Sequence, residues 1–316
     1  MDTTFSLLGL TAHAYGLCAA IAAAVLILGV KLWGRKLPEG TAGVFGVLGI
    51  ALGVLGARAL YCVCNVSTFT ETFENPWLML YFFDGGLSLP GLLGGLIAAA
   101  AITAKLMKAK FGDVLDAASV PAGLSLAVLR FGEKFTDLGI GKVVEEGFLT
   151  EKMGWLFDYS RMGVSVEYRM NVWGYEAFAG VAIFVLMLVF FKRLARSGDK
   201  AVLFAALFGA SQILLESMRD DGHMLLIFLR IGQLGAAVLV MLALGFAVRG
   251  CSRGEKFVRW IVMMLCAVMI VLLEFSLDGR LTVGTPTLLR DYSVMAAVCA
   301  VMLLNACTAL FKNAKR

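Results

Sequence analysis

Nine stretches of mostly apolar residues recur along the chain, near 13–33, 41–63, 86–108, 114–132, 175–191, 201–218, 226–248, 258–276 and 293–311. A run of roughly 20 such residues crosses the hydrocarbon layer as a helix, because lipid offers the backbone no hydrogen-bond partners and a helix satisfies them internally. Nine runs leave little room for any architecture but a bundle of membrane helices. Composition agrees, with 60% of the 316 residues hydrophobic, 16% charged and a mean hydropathy of +0.85. A soluble domain is about half apolar and a quarter charged, so the excess apolar surface must face lipid. The same figures exclude disorder, collagen, a coiled coil and a disulfide-stapled secreted module. The expected fold class is an all-α polytopic membrane protein.

One connection is long. Residues 133–174 carry Glu145, Glu146, Glu151, Asp158, Glu167, Lys142, Lys152, Arg161 and Arg169 among aromatics, which reads as a small folded head. Basic residues then orient the bundle. Lys31, Arg35 and Lys36, then Lys105, Lys108 and Lys110, then Lys192, Arg193, Arg196 and Lys200 fall on one side of the membrane. Arg249, Arg253, Lys256 and Arg259, and finally Lys312, Lys315 and Arg316, fall on the same side, giving 17 of the 28 lysines and arginines. Residues 62–85 on the other side contain none. The positive-inside bias predicts an outer N-terminus and head and a cytoplasmic C-terminus. The N-terminus shows no basic region or small-residue cleavage site, so no signal peptide is expected to be removed. The net charge of +5 suits an anionic leaflet rather than nucleic acid.

Cys18, Cys62, Cys64, Cys266, Cys299 and Cys307 fall in or beside the spans and read as small apolar filler. Two histidines, His13 and His223, fall short of a His-rich zinc site. The informative exceptions are charges inside or at the ends of spans, which cost several kcal/mol unless partnered. They are Arg58, Arg130, Glu176, Glu216, Arg219 and Arg230, with Tyr15, Gln212 and Gln233 as neutral company, and nearly all lie toward the outer ends. Glu216 and Arg219, three apart, share a helix face.

Arginine binds phosphate bidentately and never loses its charge, so several at one leaflet suggest a phospholipid headgroup pocket. The segment from Asp84 to Gly95 holds five glycines. Such a run permits close backbone approach to a ligand or to a neighbouring helix, and a helix start also favours anions.

Together these residues resemble the prolipoprotein diacylglyceryl transferase family of bacterial inner membranes, in order over roughly residues 10–248. The resemblance rests on His13-Ala14-Tyr15-Gly16-Leu17, Gly56-Ala57-Arg58, Asp84-Gly85-Gly86-Leu87-Ser88 and Arg130-Phe131-Gly132. It continues with Tyr175-Glu176, Glu216-Ser217-Met218-Arg219 and Gly232-Gln233. It implies a seven-helix transferase-like bundle over residues 1–250, with 251–316 adding a transmembrane hairpin. It implies transfer of a diacylglyceryl group from phosphatidylglycerol to the lipobox cysteine of a prolipoprotein, at the outer leaflet of a bacterial cell membrane. The implied catalytic residues are Arg130, Glu216, Arg219 and Tyr15. Arg58, Gly85, Gly86, Ser88, Gly132 and Gln233 are the implied phospholipid-binding residues. The implied partners are phosphatidylglycerol, the prolipoprotein signal peptide and the bilayer, with no cofactor, metal or nucleic acid.

The chain departs from the family pattern at Pro90, where a histidine is usual, and at Gln212, where an arginine precedes the glutamate by four residues. Glu133 stands where an asparagine follows Arg130-Phe131-Gly132, and Asn171-Val172-Trp173 replaces the usual residues before Tyr175-Glu176. These changes remove a positive charge and the usual candidate base. Glu133, His13 and His223 are the replacement bases to weigh. The alternative function is a catalytically degenerate relative that binds phospholipid, or a lipoprotein or other membrane partner. A transporter has less support, since it wants paired midplane carboxylates or broken helices in corresponding halves. Glu274 is the one acid deep in a later span, and no internal repeat is visible.

Overall fold

The structure, a computed structural model, describes the chain except residues 1–3, 8–9, 73–74, 82–84, 146–147, 163–164, 222–223, 227–228, 282–287 and 315–316. Asp84, Glu146 and His223 therefore lie outside the described residues. A short hairpin, β1 (Thr4–Leu7) with β2 (Leu10–His13), leads into the first helix. Each apolar stretch contains a helix: α1 (Ala14–Trp33), α2 (Thr41–Cys64), α3 (Leu89–Leu106) and α4 (Phe111–Gly132) come before the head. The head contains strands β3 (Ile140–Val144), β4 (Phe157–Met162) and β5 (Ser165–Asn171) and a short helix α5 (Phe148–Lys152). After it come α6 (Val172–Phe190), α7 (Asp199–Ser217), α8 (Ile231–Ala247), α9 (Arg253–Leu277) and α10 (Leu288–Ala314). Eight of these helices are long and apolar enough to cross a membrane, and α8, at 17 residues, is shorter. The chain is an all-α polytopic membrane protein with small sheets at one end.

Polarity decides which helices go inside. The α4 and α7 segments have mean hydropathies of 1.5 and 1.3, the lowest of the eight, and 61% of each is buried. No other span buries more than 33%. The helices with serine, glutamine and charge find partners in the interior, while the greasier ones face lipid. Helix α1 packs on α4, α2 on α3, α6 on α4, α8 and α10 on α7, and α9 on α10. Where α2 meets α3, a Cβ on Gly91 or Gly95 would fall on the carbonyl of Gly56 or Leu52. These glycines thus serve a backbone-to-backbone helix contact.

Two apolar cores result. One joins Val30, Phe45, Ala99, Ala100 and Val114 from α1 to α4. The larger joins Leu203, Ile213, Leu244, Met263, Met295 and Met302, so the C-terminal pair α9–α10 shares its core with α7 and α8. At the start of α7, Gly198 has φ +92° and offers no side chain to cap the helix. Asp116 of α4 supplies one instead, accepting from the Gly198 and Ala201 amides at 2.9 Å each.

The head is a three-stranded antiparallel sheet in the order β3-β5-β4. Its β3 edge also bonds to the segment after α7. The Lys142 amide donates to the Met218 carbonyl at 2.9 Å, and the Asp220 amide donates to the Ile140 carbonyl at 2.8 Å. Two helices begin later than hydropathy predicts. Helix α3 starts at Leu89 instead of residue 86, because Gly85 and Gly86 are left-handed (φ +78° and +64°) and Ser88 caps the helix through the Gly91 amide. Helix α8 starts at Ile231 instead of residue 226, after a two-residue pairing of β6 (Leu225–Leu226) with β7 (Leu229–Arg230). Arg230, extended at φ −82° and ψ 139°, reaches back to Asp221 and to the Arg219 carbonyl.

Candidate active site

The ends of α4 and α7 and the start of α6 converge where the head joins the bundle. Arg130, in the last turn of α4, donates through Nη1 to Glu133 Oε1, and its Nε lies 3.3 Å from Glu176 Oε2 on α6. Arg219, just past α7, donates through Nη2 to the other Glu133 oxygen and lies 3.5 Å from the same Glu176 Oε2. One carboxylate thus spans two guanidiniums from different elements. Glu216 Oε1 stands 3.8 Å from Arg130 and 3.9 Å from Arg219. The Gln212 amide donates to Glu176 at 2.6 Å and to Glu216 at 3.0 Å.

Asp221 closes the cluster toward the head. It pairs with Arg219 Nε at 3.3 Å and with Arg230 at 2.8 Å, and it accepts from the Gly139 amide at 3.1 Å. Arg130, Glu133, Glu176, Gln212, Glu216, Arg219 and Arg230 are all buried. Burial by itself would lower the Arg219 pKa, but Glu176, Glu133, Glu216 and Asp221 outweigh it and raise the pKa well above the usual arginine value. The guanidinium therefore stays charged. Three guanidiniums face four carboxylates here, with Gln212 neutral. The Tyr15 ring of α1 packs against Gly132 at the edge of the cluster. A small cavity between α4, α6 and α7 has Arg130, Glu176 and Gln212 at its polar end and Leu126, Ile183 and Phe208 along its apolar walls.

The structure thus brings Arg130, Glu216 and Arg219 together, with Tyr15 and Gly132 beside them. Arg58 stands elsewhere. Its guanidinium donates to the carbonyls of Leu78, Met79, Gly85 and Gly86 at 2.7 to 3.3 Å and lies over the Tyr61 and Phe69 rings. No contact joins it to the cluster among the described residues. Gly85 and Gly86 present two of those carbonyls and Ser88 caps α3, so Arg58 of α2 pins the turn ahead of that helix. Gln233 of α8 faces away from the arginines, donating to Glu274 of α9 at 2.6 Å and to the Ile213 carbonyl at 3.3 Å. His13 is exposed at the entrance to α1, and Pro90 packs against Gly235 of α8. Sequence reasoning missed Asp221, and it weighed Glu133 as a replacement base without foreseeing that it bridges both arginines. The available signal was their spacing, since each follows a buried arginine by two or three residues.

Fold and site together define a polytopic membrane protein with a buried arginine–carboxylate centre at one end of its bundle, beside an apolar-walled cavity. The chain belongs to the prolipoprotein diacylglyceryl transferase family, whose model matches residues 2–249. It is 30% identical to a phosphatidylglycerol–prolipoprotein diacylglyceryl transferase of Symbiobacterium thermophilum over 227 residues, covering 72% of this chain and 83% of that protein. It is 24% identical to the protein of the same name from Bacillus licheniformis over 258 residues, covering 81% of this chain and 94% of that one. A Thermotoga petrophila protein of that name is 25% identical over 222 residues, covering 66% of this chain and 70% of its own.

Proposed function

We propose that this chain moves the diacylglyceryl group of phosphatidylglycerol onto the thiol of a prolipoprotein's lipobox cysteine. The observation that carries the reading is the buried Arg130–Arg219 pair, whose guanidiniums converge on the same carboxylates of Glu133 and Glu176 and so suit a phosphate headgroup. In this reading the two guanidiniums hold the phosphate by their paired donors. The cysteine thiol passes its proton to a carboxylate of the cluster, since the thiolate is the nucleophile. The sulfur then attacks the glycerol carbon that bears the phosphate ester. The S–C bond forms as the C–O bond breaks, and glycerol phosphate departs with its new negative charge against the arginines. The carboxylate's proton follows it. Glu216 and Tyr15 complete the catalytic set, with Gly132 beside it, while the Arg58 turn with Gly85, Gly86 and Ser88, and Gln233, shape the lipid-binding surroundings.

The asymmetry of basic residues supports a site at the outer leaflet, with the head and N-terminus outside and the C-terminus cytoplasmic. The prolipoprotein signal peptide then meets the site from within the bilayer. We assign transfer to residues 1–250 and a supporting role to the hairpin of residues 251–316. Expressed in a bacterium depleted of its own transferase, the chain is expected to restore growth and lipoprotein modification. In vitro it is expected to release glycerol phosphate from phosphatidylglycerol vesicles given a lipobox peptide, and Arg130→Ala to cut that release about 10²–10³-fold. Release at the parental rate by Arg130→Ala would overturn the site. Failure to complement despite confirmed insertion would favour a relative that binds phospholipid without transferring it.

A further inference from the structure

The carboxylate of Glu133 occupies the position between Arg130 and Arg219 where an oxyanion ligand fits best. Each of its oxygens takes a donor from a different guanidinium. A carboxylate has only two oxygens, and the pair has donors left over. Arg130 Nη2 makes no hydrogen bond, with Glu216 Oε1 standing 3.8 Å from it. Arg219 Nε also makes none, although Asp221 Oδ2 lies 3.3 Å away, out of line for one. Both side chains are more than nine-tenths buried, where an N–H without an acceptor is costly. A phosphate group carries more oxygens than a carboxylate and is recognised by the same paired donors. The arrangement therefore has more donors than Glu133 can use, and it suits an anion with three or four acceptor oxygens.

Charge leads to the same conclusion. With four carboxylates already facing three guanidiniums, a further anion cannot simply be added to the cluster. One of the resident carboxylates must withdraw. Glu176 comes from within α6 and Glu216 from within α7, and Asp221 is held by Arg230 and the Gly139 amide. Glu133 alone begins a short turn, Glu133–Phe135, at the base of the head. It is also the carboxylate that takes a donor from each guanidinium, so its withdrawal frees both at once.

We propose that Glu133 is an internal competitor of the substrate phosphate, an affinity-setting residue that holds the Arg130–Arg219 pair until a phosphate-bearing ligand displaces it. This rests on the reading of the arginine pair as the phosphate site. An arginine pair free of Glu133 for a fraction of the time binds its ligand with an affinity reduced by that fraction. Freedom for about a tenth of the time gives a roughly tenfold effect.

The test is direct binding of glycerol phosphate to the purified full chain in detergent, which needs no turnover. Glu133→Gln keeps the shape and removes the charge, and it is expected to bind glycerol phosphate roughly tenfold more tightly than the parent. Binding equal to or weaker than the parent overturns the proposal. If Glu133→Gln does not accumulate, Glu133→Asp serves, because a carboxylate one methylene shorter cannot span both guanidiniums. It is expected to tighten binding in smaller measure, and parental affinity there overturns the proposal equally. Arg130→Ala separates the two levels. Parental binding by that variant sinks the phosphate site itself, whereas lost binding there with no change in Glu133→Gln sinks only the role of Glu133.

Discussion

A single amide nitrogen, Gln212 Nε2, donates to Glu176 and Glu216 in a buried setting where neither acid reaches solvent. Leucine fills a similar volume but has no donor. Gln212→Leu should therefore leave two buried carboxylate oxygens short of a partner, at a cost of about 1–3 kcal/mol. The check is thermal unfolding in detergent, where the variant should melt below the parent; an unchanged midpoint would mean the amide is dispensable. Gln212→Glu is predicted to be worse, since it adds a fifth carboxylate to the cluster. Sequence made Arg130, Glu216 and Arg219 legible because a charge inside an apolar run is anomalous. Asp221, and the bridging place of Glu133, were obscure for the opposite reason. A charge in a connection is ordinary, and these two are buried only because the head folds over them. Arg58 shows a further limit, because a buried arginine reads the same whether it faces a ligand or, as here, the carbonyls of its own chain.

Helix ends carry information that hydropathy does not. The nine apolar runs located the helices well, since length and polarity alone decide what lipid accepts. The starts of α3 and α8 were misread because Leu87 and Leu225–Leu226 are as apolar as the helices they precede. What stops those helices is local chemistry, namely left-handed glycines and the Ser88 cap in one case and the pull of Asp221 on Arg230 in the other. The Asp116 cap on α7 was beyond a sequence reading altogether, since donor and acceptor lie 82 and 85 residues apart. Asp116→Ala removes both bonds and should destabilise the protein by about 0.5–2 kcal/mol, in the range of a lost N-cap. Asp116→Asn, which keeps one acceptor oxygen, should recover part of that loss. Comparing the three melting midpoints tests the cap, and equal values for alanine and asparagine would discount it.

At the scale of the molecule, the C-terminal pair α9–α10 is built into the bundle. It shares the larger core with α7 and α8, Gln233 reaches Glu274, and the Tyr292 hydroxyl donates to the Ser217 carbonyl at 3.0 Å. Two further bonds, from the Lys142 amide to Met218 and from the Asp220 amide to Ile140, stitch the head sheet to the segment that carries Arg219. Their consequence is kinetic. Amides joined across one seam open together, so Lys142 and Asp220 belong to a single cooperative opening unit. In native-state hydrogen exchange both should lose protection at matching rates, and disturbing the head should accelerate Asp220 as much as Lys142. If Lys142 exchanged freely while Asp220 stayed protected, the seam would not act as one unit. A load on the head sheet is thus expected to reach the segment that carries Arg219 along the backbone as well as through the Arg169–Asp220 pair.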